Sequence, residues 1–158
     1  MTKTQIASDC TDFERETRIR DAYAANLTRE RPRERLLSLE HTYGEVTMRA
    51  IRGDMKTLDH NNALHIWEFK IQADYSGLGQ VLAYVAMARK AVGFEKIVRG
   101  VLAAFSFQPE IKEAIELLNL GIEAVEIPPK YRRAGGILPT GMVAAAPSIP
   151  TKAPKTKD

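Results

Sequence analysis

The sequence holds one cysteine, Cys10, and one tryptophan, Trp67, and aromatic residues fill only 7% of its 158 positions. A lone thiol excludes an internal disulfide and a cysteine-built zinc site, and Cys10 reads as an inert thiol in a loose N-terminus. No apolar run approaches the roughly 18 uncharged residues that a membrane-spanning helix needs. The opening Met1-Thr-Lys-Thr-Gln-Ile-Ala-Ser also lacks the apolar stretch of a signal peptide, so the expectation is a cytoplasmic protein with no membrane contact. No internal repeat is visible, and Gly77-Leu-Gly79, the nearest thing to a phosphate-cradling loop, fails the dinucleotide pattern.

A basic folded body is missing too. The net charge is +3, but from Lys130 onward six basic residues face one acid, which leaves about −2 for residues 1–129. Arginines gather early (Arg15, Arg18, Arg20, Arg29, Arg31, Arg33, Arg35) and acids late (Glu110, Glu113, Glu116, Glu123, Glu126). This permits a basic face opposite an acidic one, although interleaved charges of this kind also mark ordinary solvated helix faces.

What is present is a 44% hydrophobic chain, enough for one core and too little for two. Residues 1–10 read as a flexible start. Residues 11–129 read as one domain. The Pro, Gly, Ala and Lys-rich stretch 130–158 reads as a disordered basic tail with too little apolar surface to offset ordering entropy.

Within the domain, Thr11-Asp-Phe-Glu14 has capping-box form and opens a helix to about Leu27. Pro32 fits the first turn of a second short helix through Leu36, Leu37 and Leu39. After Gly44 the period changes to two: Val46, Met48 and Ala50 begin strand material that bends at Gly53 and continues to Leu58. Asp59 to Asn62 is a turn, and Ala63 to Ile71 is the strongest strand signal. A helix from Gly77 to Val92, a strand from Ile97 to Phe105, a helix from Pro109 and a strand from Ile122 to Ile127 follow.

The chemistry sits on the strand Ala63 to Ile71. Alternation puts Glu68 and Lys70 on one face and His65, Trp67, Phe69 and Ile71 on the other. Trp67 and Phe69 read as core. Opposite charges inside so apolar a run are costly unless satisfied, yet an isolated Glu-x-Lys is also a common surface pair. Asp54 changes the balance, because a meander through the Asp59 to Asn62 turn brings it alongside Glu68. Two carboxylates beside a lysine suit a hard divalent cation held also by water and phosphate oxygens. The lysine is then free to orient or deprotonate a water, or to offset charge developing on phosphorus. A histidine-metal or His-Asn-His reading from His60, His65 and Asn61-Asn62 is disfavoured, since His65 faces away from Glu68.

Arg52-Gly-Asp54-Met, Ile66-Trp-Glu68-Phe-Lys70 and Gly79-Gln80-Val-Leu-Ala-Tyr84 together resemble the PD-(D/E)XK nuclease superfamily, in its RecB-like and Holliday-junction-resolvase-like branch. The resemblance spans about residues 12–128. It implies an α/β restriction-endonuclease-like core of order α-β-β-β-α-β-α-β, a mixed sheet whose N-terminal three-strand meander is flanked by helices.

By that resemblance Asp54 and Glu68 bind Mg²⁺, with Mn²⁺ expected to substitute, Lys70 is the catalytic lysine and Gln80 helps hold the site. Tyr84, one turn after Gln80, and Glu16, on the first helix, are accessory candidates, and Arg52, Lys56 and Arg89 are candidates for DNA phosphates. One departure is Gly53, where the family name has proline. The function implied is a metal-dependent DNA nuclease, with targeting by a homodimer or a partner protein. Two alternatives stay open: a catalytically silent nuclease-fold DNA-binding or assembly module, and a small α/β ligand-binding domain with a parallel sheet and no meander.

Overall fold

The computed structural model describes residues 11–39 and 53–137. The first helix, α1 (Asp12–Ala25), starts as its sequence demands: Glu14 N–H donates to Thr11 Oγ1 at 3.2 Å and Thr11 N–H donates to Glu14 Oε2 at 3.0 Å. A single turn, α2 (Leu27–Glu30), leads into β1 (Glu34–Leu39), followed by β2 (Met55–Asp59) and β3 (Leu64–Ala73). Then come α3 (Tyr75–Val92), β4 (Val98–Phe107), α4 (Pro109–Leu118) and β5 (Ile122–Glu126), and a short 3-10 turn at Pro129–Arg132.

The five strands form one sheet in the order β1-β2-β3-β4-β5. β1, β2 and β3 are antiparallel neighbours, and β3, β4 and β5 run parallel. The expected mixed sheet with a three-strand meander is present, but its first strand is not where the sequence put it. Residues 34–39 are strand β1, not helix. Their Glu, Arg and Leu favour helix locally, and pairing with β2 from Glu34↔Asp59 to Leu39↔Met55 overrides that preference. Thr57 Oγ1 donates to Glu34 Oε2 at 2.6 Å and helps pin the pair. The strand expected at Val46 to Ile51, like Arg52, lies outside the described residues.

Two apolar layers enclose the sheet. On one face Leu64, Ile66 and Leu102 pack with Val81, Val85 and Ala88 of α3 and with Ile111 and Ile115 of α4. On the other, Met55, Trp67, Phe69 and Val101 pack with Ile19 and Tyr23 of α1. Trp67 and Phe69, fully buried there, are core as expected, and Tyr23 meets both rings at 5.6 and 5.7 Å. Tyr131 joins this layer and its hydroxyl donates to Glu30 at 2.7 Å. Residues 130–137 are therefore packed structure, past the domain boundary expected at 129. Among the described residues no helix is long and apolar enough to cross a membrane.

Candidate active site

β2 pairs with β3 only from Met55↔Trp67 to Leu58↔Leu64, so beyond Trp67 the strand has no β2 partner on that side. Its edge amides must find other acceptors. Two carboxylates supply them: Asp54 Oδ2 accepts from Phe69 N–H at 2.8 Å, and Glu16 Oε1, from α1, accepts from Ile71 N–H at 3.4 Å. Asp54 N–H in turn donates to Trp67 O at 2.9 Å, which fixes the aspartate against the strand just before β2 begins.

Gly53 explains the tightness of this approach. A Cβ there would stand 2.6 Å from Ile66 Cγ2, and its φ of 152° is one that side-chain-bearing residues rarely adopt. The position before the aspartate is glycine because the chain grazes β3 there.

Glu68 and Lys70 project from the same strand toward α3, on the face they share with Leu64 and Ile66. Glu68 is 5% exposed, and the half-buried Lys70 places Nζ 3.3 Å from Glu68 Oε1 and 3.8 Å from Glu16 Oε2. Two carboxylates thus share one ammonium, and Asp54 stands near enough for its charge to act on all three groups. Burial, then the nearby charge of Asp54, push the Glu68 carboxyl up to about 8 even though Lys70 opposes them. Burial also raises Glu16. For Lys70, burial works against the charge, but Glu68 and Glu16 outweigh it and the group is held above its ordinary value.

This donor set fits a hard divalent cation. It is all oxygen, and a bound cation would favour the charged form of Glu68 that burial and the nearby Asp54 disfavour. Among the described residues no three His, Cys, Asp or Glu side chains are close enough to cage an ion alone. Asp54 and Glu68 would therefore share the ion with water or phosphate oxygens, as Mg²⁺ prefers.

α3 forms the other wall. Its first turn is capped by Asp74, whose Oδ1 accepts from Gly77 N–H at 2.9 Å, and Gly77 lies against the stem of Lys70. Gln80 follows on the same flank of the helix, and its Oε1 is buried with no hydrogen-bond partner. Gln80 lies one turn after Gly77, the residue set against Lys70. Tyr84, half-buried, packs against the α3-side core one turn further on.

The remaining candidates divide. Lys56 pairs with Ile66 and so shares the sheet face of Glu68, two residues from Asp54. Arg89 is not brought to the site: it lies twelve residues beyond Gly77, about 18 Å along the helix, and donates to Val98 O at 3.1 Å. Sequence reasoning missed Asp74 and Gly77, although Asp-x-x-Gly before an apolar helix is a readable capping signal. It also missed the edge amides of Phe69 and Ile71, which only the pairing register reveals. A cavity of about 590 Å³, lined by residues that include Asp59, His65, Arg99 and Glu123, lies at the opposite end of the sheet. Asp54 and Glu16 instead lie along the edge of β3 that β2 leaves unpaired beyond Trp67.

No protein-family model matches the chain, and no curated protein matches it. Among solved structures it is similar to EndoMS in its apo form, with a TM-score of 0.52 and 20% identity over 76% of this chain and 46% of that one. It is also similar to a repair endonuclease from Pyrococcus abyssi, with a TM-score of 0.49 and 24% identity over 68% and 47% of the two chains. A third match is an EndoMS–dsDNA2 complex, at 0.48 and 24% over 68% and 45%. The chain spans about half the length of these structures. The likeness to apo EndoMS is one of fold, and it establishes the restriction-endonuclease-like α/β core expected from the PD-(D/E)XK resemblance.

Proposed function

We propose that this chain is a metal-dependent deoxyribonuclease that hydrolyses phosphodiester bonds with Mg²⁺, with Mn²⁺ able to replace it. The observation that carries the reading is the convergence of Asp54, Glu68 and an ion-paired Lys70 at the open edge of β3. A carboxyl group buried next to another carboxylate is a cost to a scaffold, whereas a bound cation would offset that cost.

When bound, the ion would polarise the scissile phosphate and acidify a coordinated water. The protein groups do the rest. Asp54 and Glu68 hold the ion, and the amide of Phe69 keeps the Asp54 carboxylate from turning away. Lys70, paired with both Glu68 and Glu16, enters as the ammonium. It therefore suits orienting the attacking water and offsetting charge on the phosphorane better than removing a proton. Glu16 holds the far side of Lys70 Nζ, and Gln80 offers its free acceptor to the water network. Water adds to phosphorus and gives up a proton to solvent, the bond to the leaving sugar oxygen breaks, and that oxygen takes a proton from solvent to leave as an alcohol. A second copy or a partner protein would complete the clamp on DNA, which light scattering with and without duplex tests.

The deciding experiment is a panel of duplex, single-stranded, branched and RNA substrates with Mg²⁺ or Mn²⁺, run beside Glu68→Ala and Lys70→Ala. Cleavage by the unaltered chain that both variants lose supports the reading. No cleavage of any substrate, with binding retained, would leave the silent DNA-binding module.

A further inference from the structure

Sequence assigned residues 130–137 to a loose tail, yet they fold back on α1. A Cβ at Gly135 would come within 2.7 Å of Ile19 Cδ1 and 3.3 Å of the Arg15 carbonyl oxygen, so only glycine lets the turn lie this close. Gly135 N–H and Ile137 N–H both donate to Arg132 O, at 3.1 and 2.9 Å, and lock the turn. Arg132 lies over the ring of Phe105 at 4.9 Å. Phe105 stands beside Ile71, between the paired residues Lys70↔Ala104 and Gln72↔Ser106. Ile71 is the residue whose amide meets Glu16.

Three arginines are therefore carried on the α1 side of the sheet, where Glu16 reaches the edge of β3: Arg132, the exposed Arg133 beside it, and Arg15, next in chain to Glu16. Among the described residues no acid pairs with any of the three, whereas Arg20, Arg31 and Lys130 all have carboxylate partners. Arg15 Nε is a buried donor with no acceptor. Unmatched guanidinium donors beside a phosphodiesterase site are suited to phosphate oxygens, which accept their fork geometry.

We propose that Arg15, Arg132 and Arg133 form a phosphate-binding ridge that holds the nucleic-acid backbone next to the scissile bond. This rests on the nuclease reading and specifies where that site grips its substrate. Binding at the ridge is sequence-independent, because these groups meet backbone and not base edges.

The test is fluorescence anisotropy of the full chain with a labelled 20-bp duplex in EDTA, from about 50 to 200 mM NaCl. Arg132→Ala/Arg133→Ala should weaken binding about 5–10-fold at low salt and reduce the slope of log K against log salt by about 2, since each phosphate contact contributes about 0.9. Arg15→Ala should reduce the slope by about 1. Arg99→Ala, at the opposite end of the sheet, should leave it unchanged. Because Arg132 also covers Phe105, Arg132→Lys and Arg133→Ala are made separately: the first should keep the slope and the second should lose about one contact. An unchanged slope in the double variant, or an equal loss in Arg99→Ala, overturns the ridge. If the ridge variants lose binding while no substrate is cut with Mg²⁺, the nuclease reading fails and the ridge stands.

Discussion

Gly77 and Lys70 touch across the gap between α3 and β3: a Cβ on Gly77 would stand 3.1 Å from Lys70 Cγ and 3.5 Å from Lys70 Cε. The same methyl would be 3.3 Å from Leu102 Cδ1, which is fully buried, so the lysine stem is the neighbour free to yield. Gly77→Ala should shift Lys70 Nζ by a few tenths of an ångström. An error of about 1 Å in a catalytic group can cost 100-fold, so the smaller displacement should lower kcat about tenfold and leave KM near its starting value. Stability should hold or rise by about 0.5–1 kcal/mol, because alanine favours helix over glycine. Steady-state cleavage kinetics beside thermal melting checks both halves. A kcat equal to that of the unaltered chain would show that Gly77 does not set the lysine's position.

The other glycine of the site acts on the aspartate. Gly53→Ala places a methyl 2.6 Å from Ile66 Cγ2, inside the fully buried core, at a φ of 152°. Overpacking of this kind costs about 1–3 kcal/mol, and the backbone must move away from β3, taking Asp54 with it. Urea unfolding should show a lower midpoint with an unchanged slope, and cleavage should fall even at temperatures where the variant is folded. A variant as stable as the parent would mean that the chain does not graze β3 there.

Much of this site was legible in the sequence because the period-two pattern of Ala63 to Ile71 sets Glu68 and Lys70 on one face. The turn at Asp59 to Asn62 then had to bring Asp54 back to the same strand. Two parts were hidden for one physical reason, that local preference and tertiary environment disagree. Leu36, Leu37 and Leu39 lie among Arg and Glu that favour helix, and only the partner strand β2 makes them β1. Pro128-Pro129 and Gly135-Gly136 read as a tail, yet Tyr131 buries its ring against Tyr23 and Gly135 fits against Ile19. Glu16 could be nominated from its helix, but not its contact with Ile71, which depends on β2 starting only at Met55.

Asp59 makes the turn that aligns β2 with β3, and this gives stability a pH dependence. Its Oδ1 accepts from Asn61 N–H at 2.8 Å and Ala63 N–H at 2.9 Å, and Oδ2 lies 3.1 Å from His65 Nε2. Burial works against the carboxylate, but the bonds from Ala63, His65 and Asn61 outweigh it and hold its pKa below the ordinary value. A depressed pKa contributes stability above the unfolded-state value near 3.8, and that contribution is lost as pH falls through the lower folded-state value. Asp59→Asn should therefore be less stable than the parent by about 1–2 kcal/mol at pH 7, with the difference shrinking below about pH 4. Urea unfolding at pH 7 and pH 3 measures it, and a difference that grows on acidification contradicts the assignment.

Glu68 should trade stability against function. Its carboxyl group is buried near Asp54 and Glu16, and Lys70 lies between it and Glu16. Glu68→Gln keeps the shape and avoids the cost of folding a carboxyl group pushed up to about 8, so at pH 7 the metal-free variant should melt higher than the metal-free parent. Adding Mg²⁺ or Mn²⁺ should reverse the order. An ion bound only by the folded state at ten times its Kd adds about 1.4 kcal/mol, or about 3–5 °C for a domain of this size. The parent should gain that shift, and Glu68→Gln and Asp54→Asn should gain little of it. EDTA should abolish the difference. Melting curves with and without the ion need no substrate, so they test the cation site separately from cleavage. A parent whose melting temperature ignores both ions would remove Asp54 and Glu68 as ligands, whatever the fold.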